Sequence, residues 1–434
     1  MGLINNIAGA LAGFLWGPPM LAVFLLTGTY LTVRTRGFPL RRPGLWIKNT
    51  FGSLLKKQEA AAGSITQRQA LASALAACLG TGNIIGVATA LSLGGPGAVF
   101  WMWVSAALGM MTCCVENILG VKYRWRTVSG GWMGGPMAYL ERGLGSKALA
   151  GAYAALLALA AFGMGNMTQA NAIAEAARQS FNFASIGLVA GITLACLIGL
   201  VIFGGVGRIA RVTEKVVPAM AGLFLLAGFL VLAKNYKALP GAFGLIFRDA
   251  FKGRAMRYGV ARGVFSNEAG LGSSAVVHAA ADVKEPAVQG LWGIAEVFID
   301  TLLMCTVTAL VFLCSGAWQG HEGVAMAGAA FAGALGRWGG PFVSLSIALF
   351  AFATLTGWSF YGEQGVRYLL GERGVKPYRV MYLGAIVVGC VMKLETVWAV
   401  ADVLNGLMAV PNLIGVMVLG GQGVRELGRW ERQR

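Results

Sequence analysis

Four residues within a long apolar run, Gly80-Thr81-Gly82-Asn83, have the composition of an interrupted membrane helix. Glycine allows a helix to unwind, and a half-helix that begins near Gly82 would direct backbone N–H groups and a positive dipole end towards a carboxylate. Carbonyl oxygens released at Ala76 and Leu79 would face a hard cation, which prefers oxygen ligands. Alternatively, the glycines only allow neighbouring helices to approach closely.

Enzyme and nucleotide-binding motifs are weak or absent in this sequence. Gly80, Gly82 and Gly86 superficially match a dinucleotide-binding fingerprint, but the spacing has one residue too many, and neither the preceding strand nor the later acidic residue is present. The sequence lacks G-x-S-x-G, P-loop and H-E-x-x-H motifs, so an enzyme is the least favoured class. Seven cysteines without a C-x-x-C pair, and only two histidines, make disulfide or metal roles unexpected.

A second polar interruption, Ser266-Asn267-Glu268, lies inside another apolar run. Polar groups are costly within a membrane and usually face a cavity or a partner. Ser266 and Asn267 are binding candidates because they lie at the break. Two interpretations remain open for Glu268: it receives a substrate ammonium group or joins the cation path, or it is a hydrogen-bonded brace that holds the helix.

Amides and carboxylates also occur within other apolar stretches. Gln169 and Asn171 lie in the middle of 165–174, where one of them could hydrogen-bond a substrate. Asp300 and Glu296 lie one turn apart, but a paired-carboxylate enzyme is disfavoured because their neighbours are apolar. The other polar residues in the spans are expected to be mostly structural or near the membrane surface: Glu116, Asn117, Asn166, Glu363, Asp402 and Asn405.

Hydroxyl side chains cluster in the apolar stretch 340–367, at Thr354, Thr356 and Ser359. On a helix that faces the first interruption, such hydroxyls would complete a sodium site. Equally, serine and threonine often bond a carbonyl of their own helix. Trp358 beside them either walls a small pocket or only packs.

The composition indicates a membrane protein. Hydrophobic residues make up 57% of the chain and charged residues only 12%, whereas soluble domains carry about 25% charged residues. The apolar runs are long and continuous, which favours helices over a barrel. A net charge of +17 could suggest nucleic acid, but Lys and Arg lie between the apolar runs, so anionic lipid headgroups are the expected partner and nucleic acid is not.

We predict eleven spans, at 17–36, 65–91, 97–121, 148–175, 185–204, 212–234, 257–281, 287–316, 340–367, 378–393 and 396–421. A basic amphipathic connection that includes Leu45–Lys57 follows the first span, and a short amphipathic helix is expected over Ala242–Phe251. With the N-terminus outside, the predicted inner segments hold 25 Lys and Arg and the outer segments hold 9, which supports this orientation.

The two interruptions occupy corresponding positions, because Thr81 and Asn267 lie 186 residues apart and each interruption opens a block of about five spans. Paired interruptions of this kind are typical of an inverted-repeat transporter with its site near the bilayer midplane. We therefore divide the chain into an N-terminal helix with its basic connection, two halves and a basic cytoplasmic tail. These segments are 1–64, 65–250, 251–421 and 422–434.

One segment, Gly94–Gly109 (GGPGAVFWMWVSAALG), resembles at all sixteen positions the signature of the alanine/glycine:cation symporters, also called sodium:alanine symporters. Similar stretches extend the resemblance from about residue 17 to 420: Gly80–Ala88, Gly134–Tyr139, Arg262–Ser273, His278–Ala281, Phe350–Glu363 and Asp402–Ile414. The resemblance implies an all-α, LeuT-type fold of ten helices in two inverted halves, preceded by one N-terminal helix. It also implies sodium-coupled import of alanine or glycine across a bacterial inner membrane, with no organic cofactor and no indication of oligomeric state.

The motifs carry the family's substrate site over to particular residues. They imply that Gly80, Thr81 and Gly82 bind the carboxylate, with Asn83 and Ser266 near the substrate. The remaining implied residues are Phe265 and Asn267 at the second break, and Gln169 and Trp358, which line the pocket and limit side-chain size.

For sodium, the resemblance implies a site formed by Ala76, Leu79 and Thr354. Ala353 is a departure, since the family often has a second hydroxyl there, and its absence removes a candidate ligand. Proton coupling through Glu268 or Glu116 is the alternative among transporters. Outside that class, the alternatives are a channel or a membrane-embedded binding protein.

Overall fold

The computed structural model describes residues 9, 11–54, 59–180, 185–392 and 394–434. Seven helical stretches of this part of the chain are long and apolar enough to cross a membrane, and Ile85–Gly94 and Ile186–Ile202 are shorter apolar helices. One of the seven stretches, Gly323–Val391, contains three successive helices. Every one of the eleven predicted spans coincides with a helix or a broken helix, which confirms the all-α membrane fold.

The helices of the first part of the chain are α1 (Pro18–Arg34), α2 (Phe38–Arg41), α3 (Pro43–Asn49), α4 (Gln67–Cys78), α5 (Ile85–Gly94), α6 (Ala98–Lys122), α7 (Pro136–Ala138), α8 (Lys147–Phe162), α9 (Thr168–Ser180), α10 (Ile186–Ile202), α11 (Gly205–Lys234) and α12 (Leu239–Asp249). A π-helical turn, Gly163–Met167, joins α8 to α9. Two short strands, β1 (Trp125–Arg126) and β2 (Trp132–Met133), form an antiparallel hairpin after α6.

The helices of the second part are α13 (Ala255–Asn267), α14 (Ser273–His278), α15 (Pro286–Val297), α16 (Thr306–Ser315), α17 (Gly323–Leu335), α18 (Gly339–Leu370), α19 (Val375–Val391) and α20 (Leu394–Arg432). Two further π-helical segments are present: Tyr139–Gly143 follows α7, and Phe298–Cys305 joins α15 to α16. Short 3-10 turns lie at Phe51–Ser53, Thr81–Asn83, Tyr236–Ala238, Ala317–Gln319, Gly336–Trp338 and Gly371–Gly374.

Both predicted interruptions are present. The first span starts at a capping box, in which Thr66 and Gln69 each bond the other's backbone N–H, and α4 ends before Gly80, whose backbone is extended. In the second broken span, α13 ends at Asn267, because Glu268 adopts a left-handed conformation with φ of 56°. Such a backbone conformation is rare for residues other than glycine, so the surrounding contacts must hold Glu268 in it.

The helices around the breaks pack at close range through small residues. Gly259 and Gly263, four residues apart on α13, face α6. A Cβ on Gly259 would overlap the carbonyl oxygen of Ala98 and lie 2.6 Å from the Cβ of Trp101. This is the close backbone approach that small residues four apart allow between membrane helices.

One face of the molecule is closed where the start of the first broken span meets the end of the second. The backbone N–H of Ile65 donates to the carbonyl oxygen of Ala280 at 3.1 Å, and its carbonyl oxygen accepts from the N–H of Asp282 at 2.8 Å. The Arg124 guanidinium, just after α6, donates to three carbonyl oxygens, those of Ala279, Ala281 and Val283. Burial lowers the pKa of Arg124 to about 10, so this guanidinium remains charged at neutral pH.

Several details differ from the sequence-based expectations. The helix α17 was not predicted, and α20 continues through most of the predicted tail 422–434. The predicted amphipathic helix is present as α12, and the basic connection contains α3, although its residues 55–58 lie outside the described residues. The boundaries of the two halves remain a prediction.

We predict that Gly259→Ala destabilises the protein by about 1–3 kcal/mol, because the new Cβ must displace the backbone of α6. Gly222→Ala, within α11, is the matched control, since a Cβ there meets nothing within 4 Å. Unfolding midpoints measured in detergent should fall for the first variant only. Equal midpoints would show that this helix contact is not tightly packed.

Candidate substrate and cation site

The two breaks meet through the side chain of Asn83. Its amide oxygen accepts from the backbone N–H of Gly80 at 3.0 Å, which closes the first break on itself. Its amide nitrogen donates to the hydroxyl of Ser266 at 3.2 Å and to Oδ1 of Asp300 at 2.7 Å. All three side chains are buried. Asn83 therefore connects the first break to the second break and to the π-helical segment after α15.

Asp300 is the residue on which polar side chains from both breaks converge. Oδ1 accepts from Asn83 and also from the Ser266 hydroxyl at 3.1 Å, whereas Oδ2 accepts from the Thr301 hydroxyl at 2.6 Å. The Asn267 amide donates in turn to Thr301 at 3.1 Å. Asp300 was not among the site residues predicted from the sequence, although an ionisable residue within a membrane span is a functional candidate by default.

Glu296 points elsewhere, although it lies one turn before Asp300. Its carboxylate is 3.2 Å from Nε2 of His278, and Gln289 lies on the other nitrogen of that ring. The two acids have separate sets of partners, so their contacts do not make them a carboxylate pair.

Gln169 lies beside the first break because of the π-helical turn that precedes it. Its amide oxygen accepts from the backbone N–H of Thr81 at 3.2 Å, and its amide nitrogen donates to the carbonyl of Met164 at 3.1 Å. Such turns release backbone carbonyls and often occur at functional sites. Asn171, the other amide considered, instead donates to carbonyls of Gly389 and Met392 near the end of α19.

The Thr81 hydroxyl is the polar group of the first break that still has binding capacity. It is completely buried, and within the described part of the chain it has no hydrogen-bond partner. Leaving a buried hydroxyl unpaired costs free energy, so such groups in a native site call for a ligand or a water as partner.

Three oxygen atoms are gathered next to the same break. The hydroxyl of Thr354, on α18, lies 3.1 Å from the carbonyl oxygen of Ala76 and 3.5 Å from that of Leu79. A hydroxyl and two carbonyls suit a hard cation such as sodium. Ala353 is buried beside them but supplies no side-chain oxygen.

Thr356 and Ser359, which also lie on α18, bond within their own helix. Thr356 donates to the carbonyl of Phe352 at 2.8 Å, and Ser359 donates to the carbonyl of Thr356 at 2.7 Å. Of the two interpretations of these hydroxyls, bonding to the helix therefore describes Thr356 and Ser359. Contact with the first break describes Thr354.

The Thr354 hydroxyl and the Gln169 amide both lie next to Gly80. A Cβ at Gly80 would lie 2.6 Å from the Thr354 hydroxyl and 3.2 Å from the Gln169 amide oxygen. Any side chain would therefore push both groups away, and only glycine fits this position without rearrangement.

Aromatic rings lie close to the backbone on either side of the breaks. Phe265 is adjacent to Gly82, whose Cβ would lie 3.6 Å from the ring, and it stacks on Trp398 with centroids 5.4 Å apart. Trp358 is completely buried against Gly165, where no Cβ would fit. Phe265 thus lies against the first break, and Trp358 packs tightly against the π-helical turn beside it.

Glu268 is held on both oxygens. The Trp358 indole donates to Oε1 at 2.9 Å, and the Ser273 hydroxyl donates to Oε2. These contacts match the interpretation of Glu268 as a brace, since they hold its left-handed backbone. Glu116 is comparable, because it accepts from the Asn412 amide and from the backbone N–H of Gly270 and so fixes the second break to α20.

Solved structures place this fold in a known class. The crystal structure of MhsT in complex with L-phenylalanine is similar over 85% of this chain and 93% of that chain, with a TM-score of 0.64 and 11% identity. At such low identity the likeness shows the fold alone. The fold is that of the LeuT-type secondary transporters, membrane proteins with two broken helices.

Sequence comparison then identifies the family. The model of the sodium:alanine symporter family matches residues 1–434. The sodium/alanine symporter AgcS of Methanococcus maripaludis is 42% identical, covering 97% of this chain and 96% of its own length. The probable sodium/glutamine symporter GlnT of Bacillus subtilis is 35% identical, covering 100% of this chain and 92% of its own. The chain belongs to the sodium:alanine symporter family, and it is a multi-pass, sodium-coupled amino-acid symporter rather than an enzyme.

We predict that Thr354→Val weakens sodium binding roughly tenfold to hundredfold, because a hydrogen-bonding oxygen facing a charge contributes about 1.5–3 kcal/mol. The measurement is stabilisation of the purified protein against heat as sodium replaces choline at constant ionic strength. Thr354→Ser retains the oxygen and should behave almost as the unaltered protein.

Thr356→Val is the matched control, because it removes a hydroxyl two residues along the same helix that bonds only the carbonyl of Phe352. It should leave the sodium titration unchanged. If both valine variants responded to sodium as the unaltered protein does, the oxygen cluster at Ala76 and Leu79 would not be the cation site.

Proposed function

We propose that this symporter imports a small neutral amino acid, alanine or glycine, together with sodium by alternating access. The observation that carries the proposal is the shared break at Gly80. The Thr354 hydroxyl and the Gln169 amide both lie next to this residue, and the unpaired Thr81 hydroxyl follows it in the chain. One turn of unwound backbone thus offers groups for a cation and for a zwitterion.

The substrate carboxylate would bind at Gly80, Thr81 and Gly82. The backbone N–H groups there precede α5, whose N-terminal end carries a positive partial charge, so a carboxylate is stabilised without a buried arginine. The Thr81 hydroxyl would donate to the same carboxylate. Gln169 can turn its amide from the Thr81 N–H to the substrate, because the two groups are already in contact.

Residues of the second break would enclose the rest of the substrate. Ser266 is held beside Asn83 by Asp300, and Asn267 is held by Thr301. Phe265 and Trp358 would limit the side chain of the substrate. Their close packing against glycine backbone supports glycine or alanine over a substrate as large as glutamine, which appears in the name of one relative.

Sodium would bind to the oxygens of Ala76, Leu79 and Thr354. Sodium that enters down its gradient would drive the amino acid uphill. The membrane potential adds about 2.3 kcal/mol per charge at 100 mV, which corresponds to roughly fifty-fold accumulation. Proton coupling is the competing function, with Glu268 and Glu116 as the groups that would titrate.

The proposed orientation places the N-terminus outside and the C-terminus in the cytoplasm of a bacterial inner membrane. It is supported by the excess of Lys and Arg in the segments that would then be cytoplasmic. The closed face at Ile65 and Arg124 would be the cytoplasmic one.

The decisive experiment is uptake by proteoliposomes of radiolabelled alanine, glycine and glutamine. One set receives an inward sodium gradient, and the other receives potassium with an inward proton gradient. We expect uphill uptake of alanine or glycine with sodium alone, and little uptake of glutamine. Uptake driven by protons alone would establish the competing coupling, and rapid glutamine uptake would contradict the small pocket.

We predict that Glu268→Gln retains sodium-driven uptake. The amide oxygen can still accept from Trp358, and the amide nitrogen can donate to Ser273. Uptake by this variant is measured in the same liposomes under a sodium gradient. Loss of uptake from a variant shown to be folded would assign a titrating role to Glu268.

We also predict that Thr81→Val raises the KM for alanine roughly tenfold to hundredfold, because a hydrogen bond to a charged group contributes about 1.5–3 kcal/mol. Thr81→Ser should restore a KM near that of the unaltered protein. Thr308→Val is the control, since that buried hydroxyl bonds only the carbonyl of Met304 in its own helix. Equal KM values for the two valine variants would remove Thr81 from the substrate site.

A further inference from the structure

A cavity of about 530 Å³ lies far from the two breaks, where the end of α1 meets the end of α20. We call it the arginine pocket, because six arginines line it. They are Arg34, Arg36, Arg41, Arg42, Arg425 and Arg432. Glu431 is the single acidic residue in its wall.

The charge of the arginine pocket is only partly compensated. Glu431 accepts from Arg41 at 2.9 Å and from Arg42 at 3.1 Å, so one carboxylate serves two guanidinium groups. The other four arginines of the pocket make no ion pair with a carboxylate of the described residues. Like charges gathered in one cavity repel each other, and an anion bound among them would relieve that repulsion.

Guanidinium groups favour a particular kind of anion. Their planar forks bind phosphate oxygens in pairs, and they are weakly hydrated in comparison with lysine ammonium groups. The one carboxylate of this chain in the arginine pocket, that of Glu431, pairs with only two of the six arginines. A phosphate group therefore suits the pocket better than a carboxylate does.

Exposed apolar residues lead along both helices to the arginine pocket. On each helix they share one face with an arginine of the pocket, since residues four or seven apart lie on the same side. These rows are Leu26 and Tyr30 before Arg34 on α1, and Ile414 and Val418 before Arg425 on α20. The exposed fractions of these four apolar side chains are between 39% and 65%, so they face the surrounding hydrocarbon in a membrane.

The end of α1 also carries residue types that are common at the surface of a membrane. The Arg34 guanidinium lies over the Tyr30 ring, 5.6 Å from its centroid. Tyrosine is enriched at the level of the lipid headgroups, and basic pockets between membrane helices bind acidic headgroups. We propose that the arginine pocket binds the phosphate headgroup of an anionic phospholipid, whose acyl chains lie along the apolar rows of α1 and α20.

A soluble short-chain lipid allows the binding to be measured directly. Dihexanoyl phosphatidylglycerol is titrated calorimetrically into the full-length protein in a non-ionic detergent. Dihexanoyl phosphatidylcholine tests the chains without net charge, and inorganic phosphate tests the anion without chains. We expect saturable binding of phosphatidylglycerol at least tenfold tighter than that of either comparison ligand.

The variant that tests the location is the double substitution Arg36→Gln and Arg425→Gln, at two exposed arginines that make no ion pair within the described residues. Each arginine near an acidic headgroup accounts for about fivefold in affinity, so the pair should weaken binding of phosphatidylglycerol about 25-fold. The corresponding double lysine variant keeps both charges and should bind within a few-fold of the unaltered protein.

The matched control removes two exposed charges elsewhere, Arg373→Gln with Lys376→Gln, in and just after the turn that follows α18. It should leave the affinity unchanged. Equal affinities of the two glutamine double variants would overturn the location, and equal binding of phosphatidylcholine would overturn the role of charge. Equally tight binding of inorganic phosphate would identify a free anion rather than a lipid as the occupant.

Discussion

The structure depends on one constraint, namely that backbone N–H and C=O groups within a membrane must find partners inside the protein. Two helices stop and restart midway, at Gly80 and at Glu268, and each stop releases such groups. The surrounding polar residues satisfy them or position their neighbours: Asn83 accepts from Gly80, and Gln169 accepts from Thr81. Ligands would bind where the break leaves an oxygen cluster, at Thr354, or an unpaired hydroxyl, at Thr81.

The close approach at Gly80 gives coupling a physical basis. The Thr354 oxygen proposed for sodium and the Gln169 amide proposed for the amino acid both lie next to Gly80, a residue without a side chain. A cation that orders this backbone orders both sites at once. If sodium increases the affinity for the amino acid, the amino acid must increase the affinity for sodium by the same factor. The absence of a side-chain hydroxyl at Ala353 would therefore change the affinity for the substrate as well as the affinity for the ion.

The interruptions could be predicted from the sequence because they are local: glycines and amides stand out within an apolar run. The contacts of Asp300 could not, since its partners Asn83 and Ser266 are distant in sequence and it lies in a π-helical segment rather than in a regular helix. Similarly, the positions of Gln169 and Asn171 in the apolar run did not distinguish them; the family resemblance favoured Gln169, and their different neighbours separate them in the structure. The helix α17 was missed because it consists largely of alanine and glycine, which give little contrast with the adjacent turns.

The bond between Asn83 and Asp300 also has a consequence for biosynthesis, because it joins residues 217 positions apart. A ribosome that adds about 5–20 residues per second needs roughly 10–40 s to make the intervening chain. During that time the first broken span is in the membrane without the partner that its amide later contacts. Water, lipid headgroups or the insertion machinery must bind the released polar groups until the second half emerges, so the interval between the two halves is the period when the nascent chain is most exposed to quality control.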